Sequence, residues 1–171
     1  IFCTLSTDTG SFRYSNATSE VFTLASELVA LGARPEVISE ALYETYPQRR
    51  MLLLKKVIQS LAFEFDGQLA TMIMTQDDLA SAGALGEDSE EFVNMPRGCV
   101  GVKLVCFVKE KSPTEWKFSL RARGNIDVLS LAEQFGGGGH RVAAGCTIRG
   151  TRQEVLEAFK SKAVEMGFFK K

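Results

Sequence analysis

The stretch Phe135-Gly136-Gly137-Gly138-Gly139-His140-Arg141-Val142-Ala143-Ala144-Gly145 decides how the rest of this 171-residue chain is read. Four consecutive glycines lead into the chain's only histidine. Each glycine costs backbone entropy and leaves no side chain to bury, so packing is a poor explanation for the run. Something has to approach this backbone closely. Successive glycine N–H groups can point into one concavity, a nest that suits anions and phosphate above all. His140 at the rim adds a donor, or a cation when protonated. Glycines alone also allow a flexible turn between a helix and a strand.

Outward from the run the local signals are regular. Asp127 is an N-cap for a helix from Val128 to Phe135 that delivers the chain to the glycines. Val142 to Ile148 forms the last strand, and Thr151 with Glu154 makes a capping box for a final helix whose Val155, Leu156, Phe159, Ala163 and Met166 face inward. Upstream, Cys99 to Lys109 is a long β-type run, Pro113 marks a turn, and Trp116 to Arg123 returns as its partner. A period of two places Ser119, Arg121 and Arg123 on one face. The planar fork of arginine suits phosphate, although a solvated sheet face would carry the same residues.

Further toward the N-terminus, Phe63-Glu64-Phe65, the turn Asp66-Gly67 and Gln68 to Met74 read as a hairpin. Thr75 and Asp78 cap a short helix reaching about Ala82, and the acidic run Glu87, Asp88, Glu90, Glu91 reads as a surface loop with a helical turn. Three helices precede the hairpin: Ser19 to Leu31, Pro35 to about Tyr46, and Gln48 to Ala62. Val21, Leu24, Ala25, Leu28 and Leu31 form one apolar stripe that packs on a core. Arg49, Arg50, Lys55 and Lys56 are expected on a solvated face. The opening Phe2-Cys3-Thr4-Leu5 reads as the end of a buried strand, with Asp8-Thr9-Gly10-Ser11-Phe12 at its mouth. Asp8 there is a candidate ligand for a hard metal, or the first residue of an Asx-turn.

Composition sets the outer bounds. A 45% hydrophobic chain of this length can bury a core in one domain or two small lobes. Lys+Arg 20 against Asp+Glu 21 leaves a net charge of -1, so any anion site is local rather than a global basic field. Cys3, Cys99, Cys106 and Cys146 lack the paired spacing of a zinc site and read as reduced, mostly buried thiols. With no membrane-length apolar run, the expectation is a soluble, cytoplasmic protein. Ile1 at the start suggests a piece of something longer.

The second lobe carries a recognisable pattern: Ser119-Leu120-Arg121, a short capped helix, Phe135 to His140, then Ala143-Ala144-Gly145. This resembles the C-terminal domain that accompanies DHH phosphoesterases, over about residues 63 to 171. Asp8 to Phe12 and the Asn16-Ala17-Thr18 approach to a helix resemble the last motif of the DHH catalytic domain. The branch implied hydrolyses short oligoribonucleotides and phosphoadenosine phosphate.

The resemblance implies an α/β fold: residues 1–47 a helical remnant of the catalytic domain, 48–62 a linker helix, and 63–171 a domain with a mixed β-sheet flanked by helices. Asp8 becomes a ligand of a two-manganese centre. Arg121 and Gly136, Gly137, Gly138, Gly139 and His140 hold a substrate phosphate, with Ser119 and Arg123 beside them. The implied partner is a short oligoribonucleotide or nucleotide, with single-stranded nucleic acid and a homodimer also compatible. One aspartate cannot hold two metals, so little hydrolase activity is expected of this polypeptide alone. Relatives often carry asparagine where this chain has Leu129. A non-catalytic nucleic-acid-binding module and a cyclic-dinucleotide phosphodiesterase are the other readings.

Overall fold

In a computed structural model, which describes residues 1–124 and 126–169, the chain divides into two compact units, Ile1–Pro47 and Gln48–Lys171. The first unit is helical: α1 (Phe2–Asp8), α2 (Ser19–Ala30) and α3 (Pro35–Tyr43). The opening stretch is therefore a helix and not the strand expected from its apolar run. Phe2, Ser6 and Thr9 are its buried residues, the spacing of a helical face. Thr7 returns its hydroxyl to the Cys3 and Thr4 carbonyls (3.1 Å each) and Thr9 to Leu5 (2.7 Å), bonds that only a helical backbone offers. The α2 stripe exists, yet within the unit it covers little. Ala25 is the only buried residue of α2, α3 has none, and Leu31 is 84% exposed.

The second unit is built on a six-stranded mixed sheet of order β1-β2-β3-β4-β6-β5. Its strands are β1 (Ala62–Glu64), β2 (Leu69–Met74), β3 (Leu104–Ser112), β4 (Glu115–Ala122), β5 (Gly138–His140) and β6 (Ala143–Arg149). β2 and β3 run parallel, and all other neighbours are antiparallel. The parallel pair needs a crossover, supplied by α5 (Gln76–Ala82) and three short 3₁₀ turns. Asp66 and Gly67 turn the first hairpin with φ of +53° and +78°, the mirror-image turn that Asp-Gly favours. Reciprocal capping boxes at Thr75/Asp78 and Thr151/Glu154 start α5 and α7 (Arg152–Glu165). The Asp127 carboxylate caps α6 (Val128–Glu133), accepting from the Leu129 and Ser130 N–H groups.

Two apolar layers sandwich the sheet unequally. On one side α6 and α7 cover β2, β3, β4 and β6, burying Phe118, Leu120, Leu131 and Phe159. On the other, α4 (Gln48–Gln59), α5 and the turn Phe92–Asn94 pack on β2 and β3 around Leu53, Met72, Val105 and Phe107, and that turn also reaches β4. The helix expected as a linker is thus packed inside the second unit.

Three further expectations change. Arg50 is buried, and Arg49 is only partly exposed. Arg49 pairs with Asp88 at 2.7 Å, and Arg50 donates to the Asp88 and Glu90 carbonyls (2.7 and 2.8 Å) and lies 4.8 Å from the Phe92 ring centroid. The acidic loop correspondingly turns Asp88 and Ser89 inward. β3 starts at Leu104 rather than Cys99, because a 3₁₀ turn closes at Cys99 and Gly101 sits at φ +89°. Among the cysteines only Cys106 and Cys146 are buried, and burial pushes both thiols up, Cys146 to about 11. Among the described residues no helix is long and apolar enough to cross a membrane.

Candidate functional site

The glycine run is neither one concave nest nor a flexible turn. Gly136, at φ +68°, ends α6: its N–H donates to Glu133 O (3.0 Å) and that of Gly137 to Ala132 O (2.9 Å), a Schellman closure. Gly138–His140 then extends as β5, an edge strand of the sheet. The close approach that the glycines demand comes mainly from the protein itself. A Cβ on Gly137 would run into the Gly145 carbonyl oxygen and Cys146 Cβ (2.6 Å), and one on Gly139 into Ala143 O and Ala144 Cα (2.6 Å each). Gly138 alone of these three faces open space.

Strand register gathers the other candidates around that open glycine. Phe107, Ser119, Gly145 and Gly138 form one row across β3, β4, β6 and β5, and Val105, Arg121, Ala143 and His140 form the next. Residues opposite one another in a ladder share a face, so Ser119, Arg121, Gly138 and His140 lie on the side whose apolar cluster takes its strand residues from β2 and β3. Gly145 and Gly138 leave a floor without side chains. Ala143 alone separates Arg121 from His140, about 10 Å apart at two strand spacings, within joint reach of one anion.

Arg121 and Ser119 are half-buried at this step in the surface, while Gly138, Gly139 and His140 are exposed. Arg121 spends one N–H on the Leu120 carbonyl (3.0 Å). Neither it nor His140 has a carboxylate partner among the described residues. A guanidinium left without a counter-ion over a glycine floor can grip a phosphate bidentately. β5 adds the outward-facing N–H groups of a sheet edge.

Arg123 falls outside this cluster, and Asp8 belongs to the other unit. Arg123 follows the end of β4, its N–H held by Lys103 O (2.8 Å), and lines a separate open cavity of about 600 Å³ with Gly101, Lys103, Gly124 and Ile126. Asp8, in the first unit, ends α1 as an exposed residue whose backbone carbonyl accepts from Asn16 Nδ2 (3.1 Å). No group of three or more His, Cys, Asp and Glu suited to a metal occurs among the described residues. The described residues do not make a two-manganese site.

Sequence reasoning missed two cations. Lys109 and Lys117 stand opposite each other on β3 and β4, in the row next to Ser119. The alternation that exposed Arg121 extends to Lys117 and could have shown it.

This domain architecture is found in known proteins. Residues 66–166 match the DHHA1 domain model, and the chain belongs to the DHHA1 domain family. It is similar to the bifunctional oligoribonuclease and PAP phosphatase NrnA of Thermus thermophilus, with 34% identity over 95% of this chain and 49% of that one. The Bacillus subtilis protein of the same description is 26% identical over 82% of this chain and 44% of its own length. Among solved structures, an exopolyphosphatase-related protein from Bacteroides fragilis superposes with a TM-score of 0.87 at 31% identity, covering 94% of this chain and 47% of that one. The chain spans about half the length of the curated relatives it matches.

Proposed function

We propose that the second unit is the substrate-gripping part of a DHH-type phosphoesterase acting on short oligoribonucleotides or a 3′-phosphonucleotide, and that its open sheet face holds a substrate phosphate. The observation carrying this is the register that sets Arg121 and His140 on either side of Ala143, next to Ser119 over the bare floor of Gly145 and Gly138. Arg121 supplies a charged bidentate fork, His140 a ring N–H, and Ser119 a hydroxyl. The names of the NrnA relatives point to oligoribonucleotides and PAP as the substrate class. Hydrolysis, and the manganese the family resemblance implies for it, are assigned to no described residue beyond Asp8, a single candidate ligand.

Titration of the 171-residue chain with adenosine 5′-monophosphate (pA) and adenosine 3′,5′-bisphosphate tests the reading. A hydrogen bond to a charged group is worth about 1.5–3 kcal/mol, so Arg121→Ala is expected to weaken binding about 10- to 100-fold. Stability should stay within about 0.5 kcal/mol, since Arg121 packs no core. Undiminished binding by Arg121→Ala, or no binding by the wild type, overturns the assignment.

A further inference from the structure

Lys109 and Lys117 are direct partners across β3 and β4, and like charges placed opposite one another destabilise a sheet. Neither is ion-paired to a carboxylate among the described residues. Lys109 is held in place: its ammonium donates to Ser89 Oγ (2.7 Å) and lies 4.9 Å from the Phe107 ring centroid. Burial, and after it the charges of Lys117 and Lys111, hold that ammonium below the ordinary lysine range, with Glu90 opposing. Lys117 is exposed beside Lys109, and Thr147 completes the row on β6. A fold does not gain from two cations set together in this way. A bound anion would.

The pair continues the phosphate face. Along β4, Arg121, Ser119 and Lys117 point the same way, each about 7 Å from the next, so the lysines lie about 13 Å from the Arg121 row. Between them on β6 and β5 are Gly145 and Gly138, with no side chain to obstruct a ligand lying along the strand. We infer that Lys109 and Lys117 form a second anion position, for a backbone phosphate farther along an oligonucleotide whose terminal phosphate is held at Arg121 and His140. This rests on the proposed function and extends it: the face distinguishes an oligonucleotide from a mononucleotide by charge spacing.

The test compares pA, pApA and pApApA binding to the 171-residue chain. In the wild type the trinucleotide should bind about tenfold more tightly than pA, the worth of one added charge-assisted contact. Its log–log salt dependence should be steeper by about 0.7 per phosphate engaged. In Lys117→Gln that gain should shrink to about threefold or less, with a melting temperature no lower than wild type because an opposed charge has gone. Lys55→Gln, on the exposed flank of α4, controls for net charge and should keep the gain.

No gain in the wild type, a gain that survives in Lys117→Gln, or equal losses in Lys117→Gln and Lys55→Gln overturn the second position. In each of those cases loss of pA binding in Arg121→Ala still upholds the first. Failure of both pA and pApApA to bind overturns both.

Discussion

The two faces of β4 teach opposite lessons from one strand. Trp116, Phe118, Leu120 and Ala122 point into a layer closed by α6 and α7, and all four are buried. Lys117, Ser119 and Arg121, the residues between them, point to the other side, whose apolar cluster takes its strand residues from β2 and β3. One face holds the domain together. The other is free to carry charge, and the charges it carries lack carboxylate partners among the described residues.

Substitutions on the closed face should give the largest effects. Phe118 is fully buried, with its ring centroid 5.1 Å from that of Phe159, so Phe118→Ala should cost about 3–5 kcal/mol in denaturant unfolding. A loss no larger than that of Arg121→Ala would dissolve the contrast between the faces. The glycines divide in the same way at smaller magnitude. Gly137→Ala drives a methyl into the backbone of β6 and should cost about 1–3 kcal/mol, whereas Gly138→Ala meets open space and should change unfolding far less while still crowding a ligand. Equal costs at the two positions would show that β5 does not sit against β6 as described.

The smallest of these effects concerns what holds the helical cover over β2 and β3. The Arg49 guanidinium, and after it the Leu85 N–H, hold the Asp88 carboxyl below the usual carboxylate range. A depressed folded pKa stabilises above the unfolded value and is lost as pH falls through the folded one. Thermal stability should therefore drop as pH falls below about 3.9, the ordinary aspartate value, and Asp88→Asn should flatten that acid limb. Parallel melting-temperature profiles for the two proteins would remove Asp88 from the account.

What was legible in the sequence was local. Asp127, Thr75 with Asp78, and Thr151 with Glu154 each bond backbone within three residues, and they cap the helices expected of them. Alternation along 116–122 separated the two faces of β4. The opening helix was missed because four apolar or β-compatible residues fit a strand or a helix equally, and only the buried positions of Phe2, Ser6 and Thr9 settle it. Arg49, Arg50 and Asp88 were misplaced because their partners lie some forty residues away along the chain.

The glycine run shows where the division falls. From the sequence alone followed the need for an unhindered backbone at 136–139, since glycine's lack of Cβ is a property of the residue. Tertiary structure decided what needs the room: β6 at Gly137 and Gly139, a helix end at Gly136, and open surface at Gly138. It alone also placed His140 one small residue from Arg121, because the order β4-β6-β5 and its register depend on side chains from distant segments finding a common core. Periodicity is written residue by residue, whereas a pairing register exists only once two strands have been packed under the same helices.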